Sequence, residues 1–155
     1  MASFQTSTVT ATLVAATAYT AIELRPPSGT PIKIVKIWAD FGSTTSTDKP
    51  VLVQVAKFSA AVTTATANTP LPLDWRGDDT AADTAASVNA TVEGAGTFVA
   101  NGEQHNVSPV SGLYVAWETD ETALWVPGGS FFRIRLTPGS AITSTTACCG
   151  VAWVE

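Results

Sequence analysis

The sequence predicts an all-β chain, an antiparallel β-sandwich of jelly-roll type built as a single domain over residues 1–155. Three observations carry this expectation. Short runs rich in β-branched and aromatic residues recur along the chain, and such residues suit a pleated, half-buried surface. Pro-Gly and Ser/Thr/Gly stretches cut these runs into turns. Little of the chain sustains a helical period, so an α/β architecture is disfavoured. A chain of 155 residues is long enough for one core of useful size.

Residues 1–14 alternate Thr with Val, Ala or Leu and read as an N-terminal arm or an edge strand. Tyr19–Arg25 alternates more cleanly, and Pro26-Pro27-Ser28-Gly29 ends it. In Pro31–Phe41, Ile32, Ile34 and Lys36 share one parity while Lys33, Val35, Ile37, Ala39 and Phe41 share the other. Two apolar sets of opposite parity in one strand predict a bulge near Val35-Lys36. Gly42–Lys49 is a Ser/Thr loop, and Pro50–Phe58 is a strand of imperfect parity. Residues 59–108 are rich in Ala, Thr, Asn, Gly and Asp and read as a loop-rich excursion. Within it lie an anchor at Leu71–Trp75 and short strands at 87–92 and 97–99. Four runs follow: Ser111–Glu118, Ala123–Val126, Phe131–Leu136 and Cys148–Val154, the last held in a sheet.

Charged residues make up 14% of the chain, against roughly a quarter in ordinary domains. A polar, uncharged surface suits burial against neighbouring subunits. The net charge is −5 and the basic residues are scattered, so no nucleic-acid partner is expected. The N-terminal residues lack a basic region and apolar core of a secretory signal, and no stretch approaches a membrane-spanning helix. The chain is therefore expected in the cytosol with no membrane partner. Cys148 and Cys149 are adjacent in a strand, where their thiols diverge, so one buried and one partly exposed free thiol are expected.

Candidate chemistry is sparse. His105 is the single histidine, too little for a zinc site of the usual type; it is also the one imidazole base for a nucleophile, and no Gly-x-Ser-x-Gly elbow accompanies it. Asp74, Asp78, Asp79, Asp83, Glu93, Glu118, Asp120 and Glu121 are the carboxylates that glycosidase chemistry would need, and they read as solvated loop charges. Asp78, Asp79 and Asp83 offer oxygen ligands without the EF-hand pattern. Arg76-Gly77-Asp78 matches an adhesive tripeptide, and Asn89-Ala90-Thr91 and Asn106-Val107-Ser108 match glycosylation sequons that matter only in a secreted chain. No cofactor, metal or catalytic residue is expected. Of the five tryptophans, Trp38, Trp117, Trp125 and Trp153 fall in strands, with the last three expected to be buried within or between subunits. Trp75, in a loop, could pack locally, meet a subunit or stack on a sugar.

The order of segments Gly112-Leu-Tyr-Val-Ala-Trp117, Leu124-Trp-Val-Pro-Gly-Gly-Ser-Phe-Phe132 and Gly150-Val-Ala-Trp-Val-Glu155, preceded by Ile22-Glu-Leu-Arg-Pro-Pro27 and Ile32-Lys-Ile-Val-Lys36, resembles the small decoration or cement proteins of tailed-bacteriophage heads. Residues 59–108 lie outside this resemblance. It implies a non-enzymatic virion protein made in the host cytoplasm and placed on the capsid surface. Its partners would be the major capsid protein and its own copies, commonly as a trimer. Phe4 and Val9 in the N-terminal arm, with Trp75, are the expected partner-binding residues, and Phe4 and Val9 could equally fold back onto their own sheet. On the arm reading, removal of residues 2–12 leaves the sandwich folded. The alternative function is a carbohydrate-binding jelly-roll module of a tail fibre or cell surface.

Overall fold

The apolar runs of the sequence become strands of two antiparallel sheets packed face to face. The computed structural model describes residues 2–43, 49–73, 81–94, 96–117, 119, 122–142 and 145–155. Among these, in chain order, are β1 (Ser3–Ser7), β2 (Ala11–Thr12), β3 (Tyr19–Arg25), β4 (Ile32–Gly42), β5 (Val51–Phe58), β6 (Thr64–Asn68) and β7 (Leu71–Pro72). There follow β8 (Ala85–Val92), β9 (Phe98–Val107), β10 (Gly112–Ala116), β11 (Leu124–Val126), β12 (Phe131–Pro138) and β13 (Thr146–Val154). No helix occurs among the described residues. A seven-stranded sheet runs β10-β4-β13-β1-β7, with β11 also on β4 and β2 also on β13. A six-stranded sheet runs β6-β8-β3-β12-β5-β9. The predicted fold class, an all-β antiparallel sandwich, is the observed one.

The core lies between the sheets. From one side come Ile32, Ile34, Ile37, Cys149, Val151 and Trp153; from the other Ile22, Leu24, Val53, Val55, Ile134 and Leu136. The expected bulge in β4 is present: Lys36 pairs with Ala152 and Ile34 with Trp153, leaving Val35 unopposed. That extra residue puts Ile32 and Ile34, then Ile37, Ala39 and Phe41, all on the core side. A second extra residue, Ala21 in β3, lies where Ile22 pairs with Ile134 but Thr20 with Arg135.

Two expectations need correction. Residues 3–7 are not a detached arm: β1 pairs with β13 along its length, and β7 covers its other side at Phe4 and Gln5. Phe4 is 2% exposed, with its ring centroid 6.1 Å from that of Trp153. It is thus a core residue, not a partner-binding one, and removal of residues 2–12 would strip an inner strand from the sheet. Residues 59–108 hold more strand than the short runs expected at 87–92 and 97–99, since they supply β6, β7, β8 and β9. β6 and β8 are built largely from Ala, Thr, Asn and Ser, and β6 and β9 are the two edges of the six-stranded sheet, so the large apolar alternation that marks a strand is weak in this region. Within the subunit Trp125 is half exposed, since β11 directs it outward opposite Lys33 while Val126 takes the core position; of its two expected settings, a subunit contact is the one left. Trp117 and Trp153 are buried, as expected.

Val9 lies between β1 and β2 and is 73% exposed. Phe4→Ala should therefore cost about 3–5 kcal/mol of stability, as large core truncations do. Val9→Ala should stay within about 0.5 kcal/mol. Urea unfolding followed by tryptophan fluorescence measures both, and equal, small losses would contradict the placement of Phe4.

Candidate functional site

Charged residues interrupt apolar strands at two places, and both define an outer face of the sandwich. On the six-stranded sheet, Glu23 of β3 lies between Ile22 and Leu24, and Arg133 of β12 between Phe132 and Ile134. Alternation turns both away from the core, and the register sets them directly opposite. They are nevertheless 0% and 1% exposed on their side chains. Two loop segments close over them, 59–63 and the described residues 93, 94, 96 and 97. The loops are tied together by Ser59 N to Thr97 O at 3.0 Å and Thr63 N to Val92 O at 3.1 Å.

Each nitrogen of the buried guanidinium and each oxygen of the buried carboxylate has a partner. Arg133 Nε donates to Glu23 Oε2 at 2.7 Å, and Val62 N donates to the same oxygen at 2.9 Å. Arg25 Nε contacts Glu23 Oε1 at 2.5 Å. The remaining guanidinium donors of Arg133 reach Ala60 O at 2.5 Å and Glu93 O at 3.3 Å, one in each loop. Its planar head also stacks 4.3 Å from the Phe58 ring centroid. The Glu93 carboxylate takes Thr20 Oγ1 at 2.7 Å and the Thr20 backbone N–H, and lies 3.2 Å from Arg135 Nε. This cluster clamps two loops to a sheet.

The outer face of the seven-stranded sheet is different. Beyond the Val35 bulge, β4 turns Lys36, Trp38 and Asp40 outward, beside Ala116, Tyr114 and Gly112 of β10. The Trp38 indole lies flat across Gly150 of β13: a methyl group there would come within 1.9 Å of the ring. Only glycine fits beneath it. Lys36 Nζ sits 5.7 Å from the Trp38 ring centroid. Next to Trp38, a shallow groove of about 210 Å³ is lined by Gln5, Ser7, Asn68, Thr69 and Leu71. Asn68 Nδ2 donates to Ser7 O at 3.1 Å and fixes the far wall.

The structure brings together few of the residues singled out by sequence. Phe4 is in the core and Val9 is on the surface. Trp75 lies outside the described residues, as do Asp74, Asp78, Asp79, Glu118, Asp120, Glu121 and the Arg76-Gly77-Asp78 tripeptide. Asp83 uses its backbone N–H on Glu155 Oε2 at 2.9 Å. His105 Nε2 lies 2.9 Å from Glu103 Oε2, and Glu103 Oε1 accepts from Trp117 Nε1 at 3.3 Å. Asn89 accepts from the Tyr19 hydroxyl at 2.5 Å. Among the described residues, no group of three or more His, Cys, Asp or Glu side chains is placed to hold a metal ion. The Glu23–Arg133 pair was missed by sequence reasoning. The only signal was one charge in the middle of each of two apolar strands, and their pairing depends on topology.

Cys149 is buried and Cys148 partly exposed, both free. No known family model, curated protein or solved structure matches the chain.

Burial first, then the neighbouring Cys148 and Asp40, pushes the Cys149 thiol from 9.0 up to about 12. Burial, with Cys149 and Glu93 nearby, pushes the Tyr19 hydroxyl from 10.0 up to about 12. Both groups are neutral when protonated, and the fold favours that form. Their contribution is fully present below pH 9.0, where the unfolded thiol begins to ionise, and is lost as pH rises toward about 12. The urea midpoint should thus fall across that window, less steeply in a Cys149→Ala variant normalised to its own neutral-pH value. An identical fall in both proteins would contradict the assignment to Cys149.

Proposed function

We propose that the protein is a non-enzymatic virion structural protein that decorates and stabilises a tailed-phage capsid by binding capsid subunits and its own copies. The observation that carries this reading is where the exposed large apolar side chains sit. Val9, Leu71, Val99, Val110, Tyr114 and Trp125 are each at least half exposed, and most of them stand on or beside strands of a stiff frame rather than in a cleft. Apolar groups spread over a rigid, weakly charged surface suit shallow contact with neighbouring proteins. The segments from Gly112 to Glu155 that resemble head decoration proteins include β10, β11 and β13, parts of that frame.

A second reading, a carbohydrate-binding module, is favoured by the groove beside Trp38. An aromatic wall with Gln5, Ser7, Asn68 and Thr69 offers a flat apolar surface and uncharged hydrogen-bonding groups. One experiment separates the two. Purified protein is mixed with expanded capsids lacking decoration and sedimented, and in parallel passed over immobilised neutral glycans. Capsid capture without glycan retention is the expected result. Glycan retention that Trp38→Ala abolishes, with no capsid capture, would replace the first reading by the second.

A further inference from the structure

Two sheets have four lateral edges, and three of these are blunted. β7 is two residues long and contains Pro72. β6 is short and polar, with a register irregularity against β8. β9 carries Glu103 and His105 and is irregular against β5. Short length, proline, charge and bulges are the devices that stop an edge from pairing with another chain. The fourth edge, formed by β10 and β11 in line along β4, has no charge and no proline in either strand. Tyr114 is 66% and Trp125 50% exposed on it.

The backbone of this edge has a definite aim. Ser111 O accepts from Phe41 N at 3.2 Å, Pro109 O accepts from Ser43 N at 3.0 Å, and Trp117 N donates to Val35 O at 2.9 Å. In an antiparallel pair the N–H and C=O of one residue point the same way, and the direction alternates along the strand. Odd-numbered residues here therefore face β4. Gly112, Tyr114 and Ala116 present their N–H and C=O groups to the open side.

We propose that this edge receives a second copy of the chain, antiparallel across a two-fold axis at Tyr114. Tyr114 then pairs with Tyr114 of the second copy, and Gly112 with its Ala116, using the backbone groups that face outward. Charge supports this register. Along β4, Asp40 stands beside Gly112 and Lys36 beside Ala116. The Asp40 carboxylate leans over Gly112, so that a methyl group there would be 2.6 Å from Oδ1. Across the axis, each Asp40 faces a Lys36 of the second copy over two small residues, a row that occurs twice by symmetry. From Gly112 to the second copy's β4 is about 10 Å, two strand spacings, which the stem of an extended lysine largely bridges. On the inner side, half-buried Leu113 and Val115 meet Val115 and Leu113 of the second copy and extend the core. Trp125, further along the same edge, comes alongside Val110 of the second copy.

The inference deepens the self-binding part of the proposed function and rests on that part alone, not on the capsid. Its test is sedimentation of the full chain without capsids. A species of twice the chain mass is expected. Ala116→Pro removes an outward N–H and no hydrogen bond to β4, so it should keep the far-UV spectrum and unfolding midpoint while raising the dimer dissociation constant at least about tenfold. Should that variant misfold, Tyr114→Lys sets two lysines against each other on the axis and tests the same edge. Lys36→Asp should weaken the dimer about fivefold, and adding Asp40→Lys should restore it to within about twofold. A monomeric or trimeric wild type, or folded edge variants that assemble unchanged, overturns the proposal. Capsid capture by the same samples reports separately on the other half of the function.

Discussion

The pairing of β4 with β13 is the constraint on which the rest of the structure depends. β4 is the longest of the described strands and carries partners on both sides, β13 on one and β10 with β11 on the other. Its sequence cannot bury all its large apolar residues on one face by simple alternation. The extra residue Val35 reconciles the two halves, so that five apolar side chains from Ile32 to Phe41 point into the core. The same step turns Lys36, Trp38 and Asp40 outward in line. The outward row, the seat of Trp38 on Gly150 and the charge pattern along β10 all follow from one residue of register.

A buried polar layer complements the apolar core. Burying a carboxylate and a guanidinium is costly in desolvation, and removing one partner of such a pair typically costs about 3–5 kcal/mol. Here the cost is met by a near-complete set of partners: Glu23 holds Arg133, Arg25 and a backbone N–H, while Arg133 reaches a carbonyl in each covering loop. Replacing the pair by apolar residues of similar volume could leave stability unchanged. It would also remove the hydrogen bonds that set where Ala60, Val62 and Glu93 lie. Among the described residues, the sandwich thus presents one outer face covered by loops and another that is open around β4.

Much of the fold was legible because its strands carry large residues. Ile32–Phe41, Pro50–Phe58, Phe131–Leu136 and Cys148–Val154 announce themselves by β-branched and aromatic side chains, and the split parity around Val35 located the bulge. β6 did not, since an edge strand of Ala, Thr and Asn needs few large apolar side chains and resembles a loop, whereas β8 was legible over 87–92. Phe4 was read as a candidate anchor because a Thr-rich N-terminal run looks the same as an arm or as a strand until its neighbours are known. The open edge was hidden for a related reason. A strand pattern tells which residues face the core, whereas the direction of a backbone N–H depends on which strand lies alongside. Glu23 and Arg133 stand far apart in the chain, and only topology makes them a pair.

The central claim is that Val35 sets the register of β4. Deleting that single residue leaves a strand in which strict alternation alone keeps Ile32, Ile34, Ile37, Ala39 and Phe41 on the core face with the same partners on β13. Inserting one alanine between Ile37 and Trp38 instead exchanges the faces of the C-terminal half of the strand. Urea unfolding of the two variants, followed by tryptophan fluorescence, tests this directly. The account predicts that the deletion variant unfolds cooperatively within about 1–2 kcal/mol of the intact chain, while the insertion variant loses several kcal/mol or shows no cooperative transition. Equal losses in the two variants would contradict it.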